Sequence, residues 1–273
     1  MKNLPMKKVL FAIVVVVLVA AFGVSAFMVG DYLVEGKQQE DRYNELSDIA
    51  ANAQTETTEA TEPVAATENS ASAEETTAPT EPGILPGYKD IYEMNNHVVG
   101  WIKMEGTKMD YPVMQTPDEP NFYLYRDFDK NNSKRGSIYA REVCDINEPS
   151  DNITIFGHNM ADGSMFACLG DYVNKRAWDN NSLIFFDTLT EYHTYKIFAV
   201  FKTSANVGQG FSYHQFVDAQ NQEQFDEFVS TCKKLSFYDT GITPVYGDKL
   251  ICLSTCEYTL DNGRLVVAAV RIT

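Results

Sequence analysis

Two apolar, β-prone runs close the chain. Leu250, Ile251, Cys252, Leu253, Ser254, Thr255 and Cys256 form the first, and residues 265–272 form the second. Both read as buried strands. The first stops at a cysteine, and Arg264 stands at the mouth of the second. Far upstream, Ile153, Thr154, Ile155, Phe156 and Gly157 form another apolar strand, which runs into His158, Asn159 and Met160. A cysteine, a histidine and an arginine, each at a strand end, are the parts of a thiol acyl-transfer site: nucleophile, proton shuttle and oxyanion donor.

That reading sets a geometric condition. Asn262-Gly263 has the composition of a two-residue hairpin turn, which would put Cys256 opposite Ala269. Arg264 would then lie five residues along the ladder, roughly 17 Å away at about 3.3–3.4 Å per residue, too far for one site. A working site requires residues 257–263 to leave the ladder as a loop, returning Arg264 beside Cys256.

Further strands are expected over 98–104, 109–114, 136–141, 183–187 and 194–203, for about eight in all. Pro112 marks an edge or bulge in the second. Short helices are expected over 88–97 and 165–172, and a helical turn over 121–125. The one strong helix spans 221–235, with Phe225, Phe228, Val229, Cys232 and Leu235 on one face. It reads as a cover over core or as a lid beside the site. Many short strands with few helices fit a closed barrel or a sandwich.

Residues 9–29 are uninterruptedly apolar or small, long enough to cross a bilayer and longer than the roughly 7–15 residues of a signal-peptide core. A cleaved signal peptide is the alternative. Lys2, Lys7 and Lys8 precede the run, which places residues 1–8 in the cytoplasm and the rest outside. Residues 30–82 follow, with twelve acidic and two basic residues between Glu35 and Pro82. This Thr/Glu/Ala/Pro-rich composition cannot offset its chain entropy and reads as a disordered tether, although residues 31–50 carry a weak helical periodicity. The folded domain is expected over 83–273.

The net charge of −16 and the lack of basic patches argue against nucleic acid. An acidic surface reads first as a solubility device and second as a field favouring cationic acceptors such as amines. Five cysteines in an exported chain leave at least one thiol unpaired unless two molecules are cross-linked, and Cys256 is the natural odd one out. Cys252 and Cys256, roughly 13 Å apart on one strand, cannot bridge each other. Cys144, Cys168 and Cys232 read as buried free thiols.

The strand ending LSTC, the arginine that follows and the upstream FGHN strand together resemble the sortase family of Gram-positive bacteria. "GSIYARE", "GHNMADGSMF" and the segment ending "LSFYDTG" resemble its class B. The resemblance spans residues 88–273. Cys252 departs from it, standing where the family's TLxTC motif has threonine, a change expected to alter packing rather than chemistry.

The resemblance implies an eight-stranded barrel with N-terminal helices and a long helix before the cysteine strand. It implies a membrane-anchored cysteine transpeptidase that cuts the sorting signal of surface proteins after threonine. Cys256 would carry the thioester, His158 would move the proton, and Arg264 would steady the tetrahedral intermediate. Ser254 and Thr255, with Asn121 and Leu124, are expected to contact the peptide. An amine of peptidoglycan, or a pilin lysine in a pilus polymerase, would resolve the thioester, and neither metal nor organic cofactor is needed. A cell-wall cysteine peptidase and a tethered binding domain are the rivals. A papain-like peptidase has the opposite order of cysteine and histidine.

Overall fold

The structure, a computed structural model, describes residues 6–59, 83–206 and 208–273. The chain divides into a first unit ending at Asn44 and a second from Glu45 to Thr273. Helix α1 (Met6–Glu59) begins in the first. Its apolar stretch is exposed throughout, and it is the one helix among the described residues long and apolar enough to cross a membrane.

The tether expected from residue 30 does not begin there, because α1 runs unbroken to Glu59. The reason is local. Ala, Glu, Gln and Asp dominate this stretch, and no proline interrupts it before Pro63. In the second unit Leu46 is fully buried and Ala50 nearly so, while Ser47 Oγ donates to Asp110 Oδ2 at 3.1 Å. Packed structure in this unit therefore starts about forty residues before Gly83. The remainder of the expected tether, residues 60–82, lies outside the described residues.

Helix α2 (Pro86–Met94) opens with a proline in its first turn, where the missing N–H costs nothing. Eight strands follow: β1 (Val98–Lys103), β2 (Asp110–Met114), β3 (Ile138–Ala140), β4 (Asn152–Phe156), β5 (Leu183–Thr188), β6 (Thr194–Ser204), β7 (Leu250–Glu257) and β8 (Gly263–Arg271). They close into a barrel in the order β1-β2-β3-β4-β7-β8-β6-β5, which excludes the sandwich. β3 joins β2 only at Val113 and Met114, so the strand is an edge at Pro112, where a ladder donor is missing. β4 and β7 run parallel. A parallel pair needs a long crossover, and β5, β6, the short α3 (Lys175–Asn180) and α4 (Gln222–Leu235) supply it.

α4 starts at Asn221, whose side chain accepts from Gln224 N. Phe225, Phe228, Val229 and Cys232 pack on the outer face of β6 and its neighbours β8 and β7, in one cluster with Phe198, Phe201, Cys252, Val266 and Ala268. Leu235 is the exception on that stripe and is 40% exposed. The helix is thus a cover over core. Ile251, Leu253, Val267 and Ala269, at the alternate positions, are buried on the inner face.

Candidate active site

The register of β7 on β8 decides whether a site exists. Cys256 pairs with Arg264 and Glu257 with Gly263, so residues 258–262 form the connecting loop. The Asn262-Gly263 hairpin does not form because Glu257 organises a wider turn. Its Oε1 accepts from Thr259 N at 2.9 Å and its Oε2 from Leu260 N at 3.1 Å. Lys202 Nζ, from β6, lies 2.7 Å from the same carboxylate. Burial works against the charge on Glu257, but the bonds from Lys202 and Thr259 outweigh it and hold the carboxyl at about 2. Asn262 takes the left-handed conformation at φ 49°. A β-carbon on Gly263 would sit 2.5 Å from Glu257 O, so only glycine permits this return. Direct partners in an antiparallel pair project to one face with β-carbons about 4.5–5.5 Å apart. Cys256 and Arg264 therefore share the outer face, in line with Cys252 and Ala268 below them.

The histidine arrives from the other neighbour of β7. The parallel register runs from Asn152 opposite Leu250 to Phe156 opposite Ser254, and Gly157 N donates to Ser254 O at 3.1 Å. Extended two residues, that register sets His158 level with Cys256. Asn159 Nδ2 confirms the alignment by donating to Cys256 O at 3.1 Å. Gly157 lets β4 end here, since a β-carbon would lie 2.5 Å from Ile138 Cδ1 and 2.7 Å from Phe166 Cγ. His158 Nε2 is 2.8 Å from Leu124 O. A carbonyl can only accept, so Nε2 carries a proton in this contact, which leaves Nδ1 as the ring nitrogen that can exchange one.

The Arg264 guanidinium is folded over the loop, with Nη1 donating to Gly263 O at 2.9 Å, Asn262 Oδ1 at 3.1 Å and Asn262 O at 3.3 Å. Its charge still reaches the surrounding side chains. Burial pushes the Tyr139 hydroxyl well up and Glu142 adds to this, with Arg264 opposing. Burial, then Arg141 and then Arg264 lower His214. Tyr213 is pushed up to about 12 by burial, against its bond to Ser254, and feels both Arg264 and Cys256.

The four expected peptide contacts divide. Ser254 is 1% exposed and Thr255 2%, which removes both side chains from the surface. Ser254 points to the outer face, but Tyr213 covers it, with hydroxyl oxygens 2.5 Å apart. Thr255, at the alternate position, faces the barrel interior. Asn121 and Leu124 stand beside Tyr139 and His158. Asn121 is exposed and accepts from Tyr139 Oη at 3.0 Å, and Leu124 holds the histidine by its carbonyl. Asn159, Tyr139 and Tyr213 were not singled out from the sequence. Tyr139 could have been found by strand alternation along β3, where it pairs with Phe156, whereas Asn159 stands past the strand end and lies outside that pattern. Tyr213 carries no such signal. Among the described residues, no three His, Cys, Asp or Glu side chains group to hold a metal ion.

A family model described as Sortase domain matches residues 102–272. Sortase B of Staphylococcus aureus is 27% identical over 188 residues, covering 68% of this chain and 75% of the relative. Sortase B of Listeria monocytogenes is 31% identical over 189 residues, covering 68% and 74%. Among solved structures, the Staphylococcus aureus sortase B–substrate complex matches with a TM-score of 0.73 at 24% identity, over 88% of this chain and 99% of that one, a likeness of fold. A Bacillus anthracis protein similar to sortase B matches at 0.63 and 29% identity, over 70% and 85%. The closed barrel with its thiol at the end of β7 is a sortase barrel, and the chain belongs to the sortase family. Within that family it is of class B, and the chain is an enzyme, a cysteine transpeptidase.

Proposed function

We propose that this sortase is anchored in the membrane by α1, cuts a C-terminal sorting signal after threonine, and transfers the new carboxyl end to an amine of peptidoglycan. One observation carries the reading: three adjacent strands, β4, β7 and β8, bring His158, Cys256 and Arg264 to one level of the barrel. The Cys256 thiolate attacks the threonine carbonyl carbon. A guanidinium that leaves the Asn262 and Gly263 carbonyls meets the oxyanion. As the intermediate collapses, the C–N bond breaks and protonated His158 gives its proton to the departing amine. The acceptor amine then attacks the thioester, returns a proton to His158 and releases the thiolate. Asn121 and Leu124 border the peptide. The apolar run of α1 crosses the bilayer once, with the lysine-bearing N-terminus in the cytoplasm and the catalytic domain outside.

The test is to incubate the full chain, in detergent micelles, with a sorting-signal peptide, with and without an amine. Amine-dependent ligation product supports the transferase. Acid product alone under both conditions indicates a peptidase, and no turnover a binding domain. Preference for a protein lysine over a wall-type amine indicates a pilus polymerase.

A further inference from the structure

The chain leaves the β4–β7 ladder one rung before it reaches the nucleophile. Gly157 N to Ser254 O, at 3.1 Å, is the last backbone bond of that series. In a parallel ladder the next donor would be the N–H two residues on, at residue 159, and the next acceptor Cys256 O. The backbone of Asn159 has instead turned to pair with Met165, as His158 O accepts from Phe166 N at 3.0 Å. The side-chain amide of Asn159 takes the vacant place, with Nδ2 at 3.1 Å from Cys256 O. Because that carbonyl only accepts, the NH2 end must face it. Tyr258 Oη closes over the same segment at 3.4 Å from Asn159 O.

We propose that Asn159 is a positioning residue of the transpeptidase reaction. Its amide substitutes for a missing ladder bond, and so holds His158 in register with Cys256 after the strand itself has ended. The substitution solves a geometric conflict. A continued β-ladder would fix His158 but leave no loop to present its ring, whereas a free loop would present the ring without fixing it. This inference rests on the roles proposed for His158 and Cys256.

The test uses the full chain with Asn159→Ala, Asn159→Asp, His158→Ala and Cys256→Ala. Asn159→Asp keeps the shape but has no donor for the carbonyl. Both Asn159 variants should lower kcat for peptide cleavage by about ten- to a hundredfold, with KM for the peptide changed less than about twofold. The rate of Cys256 alkylation against pH is the second readout. It should shift towards the profile of His158→Ala in both variants, which a loss of stability alone would not produce. Wild-type kcat and alkylation profile in either folded variant would overturn the proposal. So would a fall in kcat that only tracks the folded fraction, with the profile unmoved. Activity in Cys256→Ala would instead overturn the assignment of the nucleophile, a separate failure.

Discussion

Cys256 and Arg264 are direct partners across the β7–β8 ladder, although seven residues of sequence lie between them. The spacing works because five residues leave the ladder and Glu257 gathers the loop around its carboxylate. Arg264 rests on that loop, and the proposed mechanism has it exchange turn carbonyls for a substrate oxygen. Arg264→Ala should therefore lower kcat by about 10²–10³, with little change in KM. Arg264→Lys should recover only part, because an ammonium keeps the charge but not the planar fork. Steady-state kinetics with a fixed peptide check this, and wild-type kcat in the alanine variant would show that the guanidinium stays on the turn.

The five thiols should differ sharply in reactivity. Cys252 is fully buried and its pKa is pushed far up, burial pushes Cys232 well up and Cys144 up, and Cys168 rises to about 11 for the same reason. Cys168, expected to be buried, and Cys256 are both partly exposed, and of the two Cys256 stands at the strand end. Peptide mapping after brief alkylation at neutral pH should find Cys256 labelled first. Cys252→Thr should keep most activity, whereas Cys256→Ala should have none. A Cys252→Thr enzyme as inactive as Cys256→Ala would contradict this division.

Gly263→Ala tests the turn. With a β-carbon 2.5 Å from Glu257 O, the loop must shift, at a cost of about 1–3 kcal/mol. Thermal unfolding should show a lower Tm, and kcat should fall with it because Arg264 is the next residue. An alanine variant with unchanged Tm and kcat would mean that the return of the chain tolerates movement there.

The Glu257 carboxyl sits at about 2 in the folded chain, because the Lys202 and Thr259 bonds prevail over burial, against about 4.3 in a free chain. A depressed folded value means stability that is fully present above the unfolded pKa and is lost as pH falls towards the folded one. Unfolding by urea should thus become easier between about pH 4.5 and pH 2. Lys202→Met should flatten that slope relative to wild type. Equal slopes in the two proteins would remove the pair from the acid response.

Much of the barrel was legible from alternation, and α4 from its apolar stripe, because both patterns record burial directly. Register was not. Asn262-Gly263 is a strong local hairpin signal, and it yields to the turn that Glu257 gathers around Thr259 and Leu260, held in place by Lys202, which is distant in sequence but adjacent in space. The same gap separates sequence neighbourhood from site membership. Ser254 and Thr255 adjoin the nucleophile along the chain, yet pleating turns Thr255 into the barrel and Tyr213 covers Ser254. Catalytic candidates at strand ends were easier to find, since an apolar run that stops at a cysteine, histidine or arginine names its own last residue. The extent of α1 was missed because an acidic composition, read as disorder, is equally compatible with a solvent-exposed helix.

In the proposed mechanism the acyl group is carried by Cys256 at the end of β7. Intact-protein mass spectrometry of the full chain, quenched in acid during turnover of a sorting-signal peptide, measures this directly. A single adduct with the mass of the peptide up to its threonine is expected. It should map to the Cys256-containing fragment, disappear when an amine is added, and be absent from Cys256→Ala. An adduct on another residue, or turnover by Cys256→Ala at the wild-type rate, would contradict the mechanism.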